Sequence, residues 1–486
     1  MTIGPLSQAR PLPEELRSVH LIGVGGAGMS GIARILLARG AELSGSDARE
    51  GRVLNALRAL GARIVVGHDA ANVGRAQTVV VSTAIREANP ELQEARRRGL
   101  RVLPRAAALA GVMAGSRGIA VAGTHGKTTT TSMLTVVLQE AGLDPSFAIG
   151  GDLNEPGSNA HAGAGDVFVA EADESDGSFL LLSPYAAVVT NVEAEHLDHY
   201  GSAEAVHAAF RAFIERIDPS GFIVLCADDP GAAALVAAAR SRGLRVVTYG
   251  RSVASDVAVL ETWTDGPQAR YVARVGSAPV EGRAGDVTPV EMASVDVALR
   301  VPGMHNVLNS AGVLAAATAL GVPPAAAAAG LASYRGVRRR FDDRGSVGGV
   351  RVVDDYAHHP TEVRATLSAA RGVAGGGRLL VAFQPHRYSR TAVFAAELGE
   401  ALALADLVVV MDVYAAGEDA QPGVDGAVVA DAIPLPPGRV RYVPSWSQVA
   451  GVMAGLARPG DLVLTMGAGD VTLLGPELLR VLAESR

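Results

Sequence analysis

"GIAVAGTHGKTTT", residues 118–130, passes from a short apolar strand through a Gly-x-x-Gly-Lys-Thr turn into a Thr-rich stretch of helical character. Strand, glycine turn and helix in that order make a phosphate-binding loop. Backbone N–H groups at a helix start favour an anion, the lysine reaches the outer phosphates, and the next hydroxyl faces a divalent cation. Gly123, Thr124, His125, Gly126, Lys127, Thr128 and Thr129 are therefore the expected nucleotide contacts. The longer motif would place glycine at 121, where Val121 stands, so the match is to the shorter form. A plain glycine turn opening a helix is the bland alternative. Lysine and arginine total 43, and Lys127 is the sole lysine. In a composition that replaces dispensable lysines by arginine, that survivor asks for a chemical reason.

The pattern repeats on either side. "VHLIGVGGAGMSGIARILLARGAELSGSD" predicts a strand over Val19–Val24, a glycine-rich turn, a helix, and a second strand ending at Asp47. "ARIVVGHD" and "QTVVVSTAI" continue it, and residues 110–118 look like a linker. After the phosphate loop, "DVFVAEADESD" and "YAAVVTNVEAEHLDHYG" are strands running into acidic loops, and residues 251–301 suggest a β-rich excursion. "VRVVDDYAHHP", "GRLLVAFQPHRYSRT", "ADLVVVMDVYAAGE" and "GDLVLTMGAGD" then each place polar residues just after an apolar strand. Ligands bind at that carboxyl edge in open parallel sheets. The expected fold is α/β, with three domains each on a mainly parallel sheet. A Rossmann-like domain covers 1–112, a P-loop ATPase domain 113–333, and a second Rossmann-like domain 334–486.

Three further clusters carry chemistry. Glu171, Asp173, Glu174 and Asp176 follow one strand, and Asn191, Glu193, Glu195, His196, Asp198 and His199 follow the next. Carboxylates with one imidazole suit Mg²⁺ beside a triphosphate; solvated acidic loops are the alternative. His358, His359, His386, Arg387 and Arg390 form the second cluster, with arginine forks shaped for carboxylate or phosphate. The third is the glycine turn at 23–28, where a dinucleotide with Asp47 on its ribose competes with an empty turn.

Composition narrows the field. Hydrophobic residues make up 49% and charged residues 19%, a globular balance. A net charge of −7 argues against nucleic acid or an anionic membrane as the main partner. Cys226 is the only cysteine, which excludes an internal disulfide framework and fits a reducing cytoplasm; "GFIVLCAD" makes it a buried strand residue. No secretory leader is expected at the start, and the Ala-rich stretch broken by Pro323 and Pro324 reads as two helices rather than a membrane span.

Taken together, "GVGGAGMSG", "GTHGKTTT", "EADESDGSF", "NVEAEHLDHY", "GMHNVLN", "RRRFD", "DDYAHHPTE", "FQPHRYSRT" and "YAAGE" resemble the Mur ligase family over nearly the whole chain. "FQPHRYSRT" with "DDYAHHPTE" is similar to members that join L-alanine to UDP-N-acetylmuramate with ATP, in peptidoglycan precursor synthesis. The resemblance implies three domains, for UDP-sugar, ATP and amino acid, in a cytoplasmic monomer or homodimer. It reassigns the first glycine turn to the UDP-sugar, through Gly25, Gly26, Gly28, Met29 and Ser30, with Asp47 and His68 at the nucleoside. It implies ATP contacts at His305, Asn306, Asn309 and Arg340, besides the loop. Thr128, Glu171 and His196 are implied to hold Mg²⁺, with Mn²⁺ the alternative, and Tyr356, His358, His386, Arg387 and Arg390 to bind alanine. Lys127, His196, His358, Arg387 and Arg390 become the catalytic set. Siblings carry a carbamylated lysine after the "HLDHYG" motif, whereas "SAEAVHAAFRAFIERID" offers only Arg211 and Arg216. Three rivals remain: a ligase attaching a preformed tripeptide to the same nucleotide sugar, an NAD-dependent oxidoreductase, and a P-loop ATPase switch.

Overall fold

The computed structural model of the chain describes residues 11–153, 159–276 and 292–484. Three α/β domains follow one another, each on a mainly parallel sheet. The first sheet has five parallel strands in the order Arg63–Val66, Glu42–Asp47, Ser18–Ile22, Thr78–Val81, Arg101–Pro104. Its order reverses at Ser18–Ile22, which opens a crevice at that strand's carboxyl end. The strand stops before the expected Val24. Gly23 turns the chain at φ 75°, and the amides of Gly23 and Val24 both donate to the Ser46 carbonyl, at 2.8 and 3.0 Å.

The second sheet has ten strands. Seven consecutive members are parallel: Val257–Asp265, Arg245–Gly250, Phe222–Cys226, Ala186–Val189, Arg117–Ala122, Val167–Glu171 and Ser146–Ala148. Ala160–His161 adds an antiparallel edge. Gln268–Gly276 and Met292–Leu299 carry the β-rich excursion, of which residues 277–291 lie outside the described part. Cys226 is buried in its strand, as read. The third sheet runs Asp342–Val347, Val350–Asp355, Leu462–Met466, Leu379–Phe383, Leu407–Val410, Val440–Tyr442. Only the first pair is antiparallel. Its central strands, such as the fully buried "LLVAF", are continuous apolar runs because helices cover both faces.

The chain divides into two compact units. One contains the first sheet and most of the second; the other contains residues 335–486 with the segments 262–270 and 298–307. Residues 110–118 are not the linker expected. Helix Arg105–Met113 runs through them, and strand Arg117–Ala122 begins after the turn at 114–116. Val112 and Met113 are buried, and Arg39 Nη1 donates to the Val112 carbonyl at 2.6 Å, so the segment is packed. Across the same join Asn159 Nδ2 donates to the Ala27 carbonyl at 2.8 Å.

Candidate active site

Strand Arg117–Ala122 ends in Gly123, and helix Lys127–Glu140 begins after Gly126. Both glycines are required. Gly123 has φ 127°, and a Cβ there would lie 2.1 Å from Thr190 Oγ1; Gly126 has φ 82°, and its Cβ would lie 2.7 Å from Asn309 Oδ1. The loop is laced to the next strand end. The His125 amide donates to Asn191 Oδ1 at 2.8 Å, Thr190 Oγ1 donates to the His125 carbonyl at 2.6 Å, and the Glu193 amide donates to Thr124 Oγ1 at 2.9 Å.

Lys127 Nζ donates to the carbonyls of Gly123 and Thr124, at 2.7 and 3.1 Å, and to Glu174 at 2.9 Å. Burial alone would lower its pKa, but the carboxylates of Glu174, Asp173 and Glu171 outweigh that and hold it above the ordinary value. Burial and the charge of Asp173 push Glu174 up to about 7 against the pull of Lys127. Burial also raises Glu171, opposed by the Thr128 hydroxyl and the Gly150 amide. Its Oε1 is buried with no hydrogen-bond partner among the described residues. His196, at φ 56°, places Nε2 3.7 Å from Glu174 Oε1. The first unit thus brings together Lys127, Thr128, Glu171, His196 and Asn309. Thr129 turns inward and is buried. Arg211 is exposed, and Arg216 is tied to Ser183 at 2.8 Å.

The glycine turn borders a cleft of about 710 Å³ lined by Gly25, Gly26, Gly28, Met29 and Asp47 among others. Asp47 Oδ2 accepts from the Gly25 amide at 2.9 Å. Two expected contacts point elsewhere. Ser30 donates inward to the Ala27 carbonyl at 3.0 Å. His68 Nδ1 lies 3.1 Å from Ser46 Oγ and 3.2 Å from the fully buried carboxylate of Glu91. The sequence reading missed Arg105, which lines the cleft and pairs with Asp173 at 3.2 Å. One arginine among 43 basic residues gives no signal beyond its place at a strand end.

In the second unit the strand ends converge on an aromatic and cationic cluster. Tyr356 and His358 rings lie 5.3 Å apart, His358 and His386 5.5 Å, and His386 stacks on Tyr414 at 5.7 Å. His358 Nδ1 donates to the Tyr356 carbonyl at 3.0 Å, which leaves the lone pair of the neutral ring on Nε2. Arg390 Nη1 donates to His386 Nδ1 at 3.3 Å. Burial, with the charges of His358, Arg390, Arg387 and Arg339, lowers His386 to about 3. Arg387 holds φ 68° with its amide on the Tyr414 carbonyl at 2.9 Å. Arg340 lies 5.1 Å over the Tyr356 ring and 3.5 Å from Glu362. Burial and the Arg340 charge lower His305 to about 4. Asn306 is buried, donating to the Pro302 carbonyl at 2.7 Å.

Family models match three consecutive stretches: the Mur ligase catalytic domain over residues 18–117, the Mur ligase middle domain over 121–317, and the glutamate ligase domain of Mur ligases over 339–469. The chain belongs to the Mur ligase family. Among relatives of this Mur ligase, the UDP-N-acetylmuramate–L-alanine ligase of Acidothermus cellulolyticus is 56% identical over 98% of each chain. The crystal structure of the UDP-N-acetylmuramate–alanine ligase of Thermotoga maritima matches at 28% identity and TM-score 0.79, covering 96% of this chain and 100% of that one. A murein peptide ligase of Psychrobacter arcticus matches at 26% identity and TM-score 0.67, over 96% and 98%.

Proposed function

We infer that this Mur ligase joins L-alanine to UDP-N-acetylmuramate at the expense of ATP, in the cytoplasm, as a step of peptidoglycan precursor synthesis. The observation that carries the reading is the likeness to alanine-adding ligases at 56% identity along 98% of the chain. Functional domains at 1–112, 113–333 and 334–486 divide the work into UDP-sugar, ATP and amino-acid binding.

A free carboxylate is a poor electrophile, so it must first be activated. The sugar's carboxylate attacks the γ-phosphorus of ATP, ADP leaves, and an acyl phosphate forms. The unprotonated amine of alanine then attacks the acyl carbon, and the tetrahedral adduct collapses to amide and inorganic phosphate. Catalysis rests on positioning and on positive groups facing the phosphoryl oxygens. Lys127 and the loop at 123–129 are assigned to the phosphates of ATP, with Asn309, His305, Asn306 and Arg340 as further contacts. The cleft at Gly25–Met29 and Asp47 is assigned to the UDP-sugar.

Thr128, Glu171 and His196 fit a hard divalent cation, Mg²⁺ or Mn²⁺. The buried, unpartnered Oε1 of Glu171 is an oxygen donor of the kind such an ion takes. When bound, the ion offsets charge on the phosphoryl oxygens. Arg387 and Arg390 are assigned to alanine's carboxylate beside Tyr356 and His386, and His358, through Nε2, to the proton of its amine. Phosphate release tests the whole reading. It should require both UDP-N-acetylmuramate and L-alanine; rapid release without either would support an ATPase switch instead.

A further inference from the structure

We propose that Arg105 binds an oxyanion of the nucleotide-sugar substrate. The proposal rests on the function inferred above and adds a residue to its first cleft. Arg105 opens helix Arg105–Met113 directly after strand Arg101–Pro104. Its side chain lines the UDP-sugar cleft and also a smaller cavity that reaches Glu171 and Asp173. It therefore stands where the cleft meets the acidic cluster around Lys127. The guanidinium lies over Gly28, where a Cβ would come within 2.4 Å of Nη1.

Two features favour a further anion at Arg105. Gly28 stands in the first turn of helix Ala27–Ala38, whose unbonded amides already favour an anion, so a cation there is disfavoured unless one is present. Among the described residues its hydrogen bonding is to Asp173 alone, Nη2 to Oδ2 at 3.2 Å. A guanidinium has five N–H donors in a fixed fork, and most remain for an oxyanion. The side chain is 33% exposed, open enough to be reached and enclosed enough to be aimed. The substrate carries two oxyanions of fitting chemistry, its diphosphate and its sugar carboxylate.

Binding of UDP, UDP-N-acetylglucosamine and UDP-N-acetylmuramate to the full chain, measured calorimetrically without ATP, tests the proposal. Arg105→Gln should weaken UDP-N-acetylmuramate by roughly 10- to 100-fold, as expected for one charged hydrogen bond. Equal losses for all three ligands identify the diphosphate; a loss confined to UDP-N-acetylmuramate identifies the carboxylate. Arg105→Lys, which keeps the charge and loses the fork, should show a smaller loss and serves if the glutamine variant does not fold. Unchanged affinity in Arg105→Gln, or a loss in Arg105→Lys as large as in Arg105→Gln, overturns the proposal. Failure of the unaltered chain to bind UDP-N-acetylmuramate would overturn the function beneath it.

Discussion

At the scale of single residues, Lys127 is held charged by Glu174, Asp173 and Glu171, and its ammonium fits between two loop carbonyls. A compact point charge suits that space, and a planar guanidinium is wider. Lys127→Arg should fold normally and lose kcat by roughly 10²-fold or more, the effect of removing one electrostatic contact to the transition state. Steady-state rates beside thermal unfolding would check it; a variant at full rate would make the lysine a survivor without a task. Arg387→Lys should raise KM for alanine and spare ATP binding, because an ammonium cannot grip a carboxylate with two prongs. The cost of about 1.5–3 kcal/mol for a charged hydrogen bond is more than tenfold in KM. Lys127 was legible because its motif and its rarity both stand in the sequence. Arg105 was not, because its meaning comes from Gly28 and Asp173, which only folding brings to it.

Elements were legible where burial was complete. Parallel strands covered on both faces read as apolar runs, and polar residues after each run marked the carboxyl edge of the sheet, where ligands bind in open parallel sheets. Strand Asp342–Val347, "DDRGSV", escaped because it is a polar edge strand, and the supposed linker escaped because small residues pack as well in a helix as they bend in a turn. The phosphate loop owes its shape to contacts no motif records. Gly123→Ala would press a methyl against Thr190 at a backbone angle that alanine avoids. It should cost about 1–3 kcal/mol of stability and weaken ATP binding, read from denaturant unfolding and nucleotide titration. The loop that carries His386 gives a pH signature. Unfolded, the imidazole takes a proton below its ordinary value of 6.5; folded, it resists until about 3. Between those values the unfolded chain binds more protons, so this group's contribution is full above pH 6.5 and is lost on acidification. His386→Gln should therefore flatten the fall in stability between pH 6.5 and 4, by up to about 1.4 kcal/mol per pH unit. An unchanged profile of melting temperature against pH would show that His386 is not shielded in this way.

At the scale of the whole molecule, three sheets of one construction follow one another along the chain, and we propose that they divide one reaction among sugar nucleotide, ATP and amino acid. The division was legible as three repeats of strand and polar loop; the joining of the first two sheets into one compact unit was not, since buried residues such as Val112 and Asn159 make that join. No helix among the described residues is long and apolar enough to cross a membrane. We infer that the carboxylate of the nucleotide sugar takes the phosphoryl group before the amine attacks. Oxygen transfer tests it most directly. UDP-N-acetylmuramate labelled with ¹⁸O in both carboxylate oxygens is turned over with ATP and L-alanine, and the released phosphate is weighed by mass spectrometry. An acyl phosphate passes its bridging oxygen to the phosphate, so each phosphate should carry one label and the amide should keep the other. Phosphate without label would mean that water attacks ATP and that no acyl phosphate forms.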